Sequence, residues 1–187
     1  MRQFLISLVF FMMVDGMAVA QSPMVSPMVA EPQPAIEIID HAVHQARKAH
    51  KPMLVVFQSS WSDVCKQLDS TLFLTAAKNI FEKYFVITRI TVQGQSAAND
   101  SLANPGGTVM MKAFAGGEPM LPFCVFFNKR GRKIADTNVP AEQPAENFSA
   151  AKNNLDALLR AIQQCAPRIP NAQLRSLMQY FHRPLSP

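Results

Sequence analysis

Two five-residue apolar runs, Met53-Leu54-Val55-Val56-Phe57 and Phe123-Cys124-Val125-Phe126-Phe127, constrain this chain more than any other feature. Neither run contains a polar residue. Both are too short for an amphipathic helix and lack the in–out alternation of a strand with one wet face. Such runs fit central strands covered on both faces. Lys51-Pro52 precedes the first run and Ser59-Ser60 follows it, while Pro122 and Asn128 bracket the second. A sheet buried on both sides needs helices above and below it, which predicts an α/β sandwich.

The flanking segments carry the helical period. Ile36, Ile39, Val43 and Ala46 predict an amphipathic helix over 35–50. A second helix is expected to begin near Ser62 or Asp63, either of which suits an N-cap. Ile80, Phe81, Tyr84 and Phe85 mark another helical inner face, and 86–92 alternates as a strand. Residues 93–107 are polar and small, a long loop. A short helix is expected over 108–114, stopped by Gly116-Gly117. Asn128-Lys129-Arg130-Gly131 is a turn signal, so 132–136 is expected to fold back as a hairpin partner. Leu155, Leu158, Leu159, Ile162 and Cys165 share one helix face; Pro167 and Pro170 end it, and Leu174, Leu177, Met178 and Phe181 form a last amphipathic turn or two. The hairpin makes the central sheet mixed, with helices on both faces.

The N-terminus reads as an address. Arg2 precedes an apolar stretch from Phe4 to Val14, interrupted only by Ser7; Asp15-Gly16 ends it, and Ala18-Val19-Ala20 offers small residues for cleavage before Gln21. Residues 1–20 are therefore expected to be a signal peptide, and the protein to be exported, to a periplasm or the extracellular space. An uncleaved anchor is the competing reading. The stretch is too short to span about 30 Å of hydrocarbon, so no stable membrane span is expected after cleavage. Residues 21–34 hold four prolines and a tandem Ser-Pro-Met-Val, which predicts an extended linker. The folded domain is expected over 35–166, with 167–187 a C-terminal helical extension.

Charge narrows the partners. Eighteen Lys and Arg against thirteen Asp and Glu give +5, with no run of five like charges, so nucleic acid is not an expected partner. Lys129-Arg130-Gly131-Arg132-Lys133 places four cations at the hairpin tip, either a solvated turn or a contact for an acidic partner or an anionic membrane. His41, His44 and His50 lack the convergent ligands a metal needs, so no metal and no cofactor are expected. Asn99 and Asn147 fit glycosylation acceptors, relevant only in a eukaryotic secretory path. The glycine pairs lack the pattern of a phosphate loop.

Met53 to Phe57 followed by Ser60-Trp61-Ser62-Asp63-Val64-Cys65-Lys66 resembles the first central strand and active-site turn of the thioredoxin family, which normally reads W-C-x-x-C-K. Asn104-Pro105-Gly106 and Leu121-Pro122 resemble that family's later half, and the likeness covers about residues 36–165. It implies a thioredoxin-like α/β fold, with Pro122 as a cis-proline facing the active-site turn. By the same likeness the attacking cysteine is replaced by Ser62, and the family's buried acid falls on Val56. A serine hydroxyl cannot form the mixed disulfide that dithiol exchange requires. Dithiol–disulfide reductase activity is thus not expected.

What remains is Cys65, in a helix's first turn beside Lys66, both of which favour a thiolate. Three readings follow. In the first, the site is degenerate and a groove of Trp61, Leu121 and Pro122 around Ser62 and Cys65 binds a polypeptide or partner protein. In the second, Cys65 is the catalytic thiol of a monothiol oxidoreductase or peroxidase. Ser62-x-x-Cys65 loosely imitates the threonine-to-cysteine spacing of peroxiredoxins, but Gln58 stands where those have proline. In the third, the loop at 93–107 and the tail at 167–187 are the working surfaces. Cys124 and Cys165 read most simply as core residues, with a mutual disulfide as the alternative.

Overall fold

The computed structural model describes residues 31–74, 76–92, 102–138 and 152–181. The expected signal peptide, linker residues 21–30, most of the 93–107 loop, Asn99 and Asn147 lie outside the described residues. In chain order the elements are α1 (Ala35–Ala49), β1 (Met53–Gln58), α2 (Asp63–Leu74), α3 (Ala77–Tyr84), β2 (Val86–Thr91), α4 (Gly107–Ala115), β3 (Phe123–Phe127), β4 (Lys133–Asp136), α5 (Lys152–Cys165) and α6 (Asn171–Phe181).

The four strands form one mixed sheet in the order β2-β1-β3-β4. β1 runs parallel to β2, Met53 opposite Val86 through Gln58 opposite Thr91. A parallel pair requires a crossover, which α2 and α3 provide. β1 runs antiparallel to β3, Met53 opposite Phe127 and Phe57 opposite Phe123, and β3 to β4 with a register irregularity at Phe126/Phe127.

The two apolar runs are the central pair, and every residue in them from Met53 to Phe57 and from Phe123 to Phe127 is buried. Their pleat divides the core in two. Leu54, Val56, Cys124 and Phe126 face a layer built on α2, α3, α5 and α6, while Met53, Val55, Phe57, Phe123, Val125 and Phe127 face α1 and α4. Each fully buried aliphatic or aromatic side chain contributes roughly 1.5–3 kcal/mol. In the first layer Phe126, Phe85, Phe81 and Phe181 touch in series, at ring separations of 5.6, 6.3 and 6.4 Å. Phe181 thereby joins α6 to the core. The segment read from sequence as a last amphipathic turn or two is an eleven-residue helix that buries Leu174, Leu177 and Phe181.

The outer packing is fixed by a few contacts. Gly107 opens α4 against β2: a Cβ there would lie 2.9 Å from Ile90 Cγ2 and 3.3 Å from the Thr91 carbonyl oxygen. Asn104 ties the same end together, donating from Nδ2 to the Gln33 carbonyl at 2.9 Å and accepting from the Thr91 N–H at 2.7 Å. α1 ends at His50 in a left-handed conformation, φ 55° and ψ 31°, where a residue without Cβ is favoured.

Two substitutions test this account in opposite directions. Gly107→Ala, which in an open helix gains about 1 kcal/mol, is expected to lose roughly 1–3 kcal/mol here by overpacking against Ile90. His50→Gly is expected to gain about 1 kcal/mol by relieving the left-handed strain. Chemical denaturation of both variants measures the signs; a stabilised Gly107→Ala would mean that α4 does not seat on β2 as described.

Candidate functional site

The register brings two separate segments to one end of the sheet. Phe57, near the end of β1, pairs with Phe123, the first residue of β3. The turn leading out of β1 into α2 (residues 59–62) and the residues leading into β3 (121–122) therefore meet on adjacent strands, about 4.8 Å apart. The Leu121–Pro122 peptide is cis. Pro122 is buried, Leu121 is half-buried against the α1/α4 layer, and Trp61, in the turn that follows β1, is 39% exposed.

Ser62 caps α2. Its Oγ accepts the Cys65 N–H at 3.4 Å and its carbonyl accepts the Lys66 N–H at 3.0 Å. Those N–H groups would otherwise be among the unpaired donors of a helix N-terminus. Serine at this position thus has a structural use that needs no thiol. Lys66, expected to favour a Cys65 thiolate, directs its ammonium to Asp63 Oδ1 at 3.0 Å on the exposed side of the helix.

Cys65 points inward. It is 1% exposed, and its Sγ accepts a hydrogen bond from Ser59 Oγ at 3.7 Å; Ser59 is itself buried. Close to it lies Cys124, which stands directly opposite Val56 in the β1–β3 ladder. Burial pushes the Cys124 thiol up to about 12, the nearby Cys65 adds to the rise, and Thr137 opposes it. Thr137 Oγ1 also accepts the Cys124 N–H at 2.9 Å. Cys165, half-buried on α5, is raised to about 11 by desolvation alone. All three cysteines are free thiols, so the Cys124–Cys165 disulfide weighed from sequence is not formed here.

Of the residues singled out in sequence, Trp61, Ser62, Cys65, Leu121 and Pro122 come together at one sheet end. Ser59, read from sequence only as a strand breaker, is the hydrogen-bond donor to Cys65, and Cys124, read as core or as a disulfide partner of Cys165, lies close enough to influence it. Gln58 Oε1 is a buried acceptor without a partner among the described residues. The histidines do not converge: His41 Nε2 meets Gln45 Nε2 at 3.5 Å, and among the described residues no three His, Cys, Asp or Glu side chains are placed to hold a metal. No helix among the described residues is long and apolar enough to cross a membrane.

Residues 39–155 match the family model of the thioredoxin-like domain. No curated protein matches the chain significantly. Among solved structures, a disulphide isomerase from Xylella fastidiosa Temecula1 is 20% identical, with a TM-score of 0.45, over 60% of this chain and 82% of that one. Thioredoxin O2 from Arabidopsis thaliana is 16% identical, with a TM-score of 0.36, over 57% and 78%. A thioredoxin-fold protein from Helicobacter pylori is 14% identical, with a TM-score of 0.37, over 71% and 85%.

The buried thiols make stability depend on alkaline pH. Cys124 stays protonated in the fold to about 12, whereas in the unfolded chain it ionises near its ordinary 9.0. Its contribution is therefore fully present below about pH 9 and is lost as pH rises towards 12. Under reducing conditions, the unfolding free energy of the wild type is expected to fall between pH 9 and 10.5 more steeply than that of Cys124→Val. The difference in slope approaches about 1.4 kcal/mol per pH unit. Parallel slopes would place the Cys124 thiol in contact with solvent.

Proposed function

We propose that this chain, which belongs to the thioredoxin-like domain family, is an exported polypeptide-binding protein whose active-site end has lost dithiol–disulfide chemistry. The observation that carries the reading is the pairing of Ser62, spent as a helix cap, with Cys65, 1% exposed. Dithiol exchange needs a surface thiolate to attack and a second thiol to resolve the mixed disulfide. Here the surface position holds a hydroxyl and the remaining thiol lies beneath it. Export is supported by Arg2, the apolar stretch 4–14 and Ala18-Val19-Ala20.

Binding is supported by what the same end leaves open. Trp61 presents an amphipathic ring at the surface, and aromatic side chains of this kind anchor peptide contacts. The residues beside Pro122 lead into β3 and offer backbone groups for pairing with an extended chain. The partner class is thus an extended polypeptide with an apolar side chain for the Trp61 face. The rival reading, a monothiol oxidoreductase or peroxidase on Cys65, requires substrate to reach a sulfur that the fold covers.

Trp61 is the sole tryptophan, so its emission reports directly on the groove. Titration with extended apolar peptides is expected to shift that emission, and Trp61→Ala to weaken binding of a labelled peptide about 30-fold. Cys65→Ala is expected to bind as the wild type does. Iodoacetamide is expected to modify Cys65 only on unfolding. Rapid native labelling, together with peroxide or disulfide turnover that Cys65→Ala abolishes, would replace this reading with the monothiol enzyme.

A further inference from the structure

We propose that the end of the domain opposite the Trp61 groove is a docking face for anionic phospholipid headgroups. It is formed by Lys129, Arg130 and Arg132 on the β3–β4 turn together with Arg47 and Lys48 at the end of α1. These cations are far apart in sequence and are joined by one contact. Gly131, at the tip of the turn with φ 82°, lies against α1: a Cβ there would sit 3.5 Å from Val43 Cγ2. Arg47 is one helical turn beyond Val43, so the tip of the hairpin and the basic end of the helix lie side by side.

The turn is held rather than loose. Asn128 Oδ1 accepts the N–H groups of Arg130 at 2.9 Å and Arg132 at 3.1 Å, and the Asn128 carbonyl accepts the Gly131 N–H at 2.9 Å. All five cations are exposed, and none forms an ion pair with a described residue. The adjacent Lys133 shows the contrast: it pairs with Asp136 and donates to the Phe114 carbonyl at 2.6 Å. The nearest acid on α1, Asp40, lies two turns before Arg47.

The chemistry of this face favours a lipid surface over a protein. Protein interfaces are anchored by apolar and aromatic side chains. The large exposed apolar side chains among the described residues are Ile36, Trp61, Leu74, Leu102, Val109 and Met178, none of them on the hairpin tip or the second half of α1. Anionic headgroups require only clustered positive charge within a Debye length. The geometry also separates the two ends. The turn follows Phe127, opposite Met53 at the start of β1, whereas the groove lies past Phe57 at its end. Six residues of strand set them roughly 20 Å apart. Docked by its basic end, the domain would hold the Trp61 groove away from the membrane, whatever that groove binds.

The test is sedimentation of the full chain with vesicles of phosphatidylcholine, with and without phosphatidylglycerol, at low salt. The N-terminal apolar stretch is common to all variants, and its contribution is set by the phosphatidylcholine arm. Each cation at an anionic surface raises partitioning about fivefold. Replacing Lys129, Arg130 and Arg132 by Gln is thus expected to lower partitioning into the anionic vesicles about 100-fold, and replacing Arg47 and Lys48 by Gln about 25-fold. The control Arg168→Gln with Arg175→Gln, on the α5–α6 segment, is expected to change nothing, and thermal melts establish that every variant is folded. Equal partitioning into the two vesicle types would overturn the proposal, as would retention by the Arg47 and Lys48 variant. Capture of the chain by polyglutamate but not by anionic vesicles would assign the face to an acidic polypeptide instead.

Discussion

The antiparallel pairing of β1 with β3, covered on both faces, is the constraint on which the rest of the structure depends. Ten ladder residues, five from Met53 to Phe57 and five from Phe123 to Phe127, have no exposed face, so each adjoining element must supply apolar cover on one side or the other. That requirement orders the helices: α1 and α4 on one layer, α2, α3, α5 and α6 on the other. It also gives the domain two distinct ends. One carries the turn into α2 and the cis Leu121–Pro122 bond; the other carries the hairpin turn and the end of α1.

The chemistry at the first end follows from how α2 begins. A helix N-terminus presents unpaired N–H groups, and any residue at the capping position is drawn to satisfy them. A cysteine there becomes a thiolate stabilised by those groups. Ser62 satisfies the same demand with a neutral hydroxyl, whose oxygen accepts the Cys65 N–H. Cys65, three residues on, is turned inward, where Ser59 donates to its sulfur, Cys124 lies near it and only 1% of the residue is exposed. The same fold that elsewhere activates a thiol here encloses one.

Much of the architecture was legible because apolar period is a local property. The runs at 53–57 and 123–127, the helix over 35–50 and the hairpin turn around Gly131 each read correctly to within a residue or two, although Ile36, read as part of the α1 stripe, is 56% exposed. The likeness to the thioredoxin family extended that reading to an α/β thioredoxin-like domain, which the match over residues 39–155 supports. Other features were illegible in principle. Ser59 and Ser60 are equivalent in sequence, yet one is buried and bonded to Cys65 and the other is not. Cys124 and Cys165 look alike as apolar-face cysteines, but one is fully enclosed and the other half-buried. The tail read as an appended turn or two is bound into the core through Phe181 and Phe81.

By itself, then, the sequence determined which segments are strands and helices and that the sheet is buried on both sides. These follow from side-chain period and turn chemistry, neither of which needs a neighbour from elsewhere in the chain. Only the tertiary structure decided that Cys65 is enclosed and that Arg47 and Lys48 join a hairpin more than eighty residues away. Burial and charge clustering are sums over residues distant in sequence, and the chain acquires them only when β1 and β3 pair and the helices close over them.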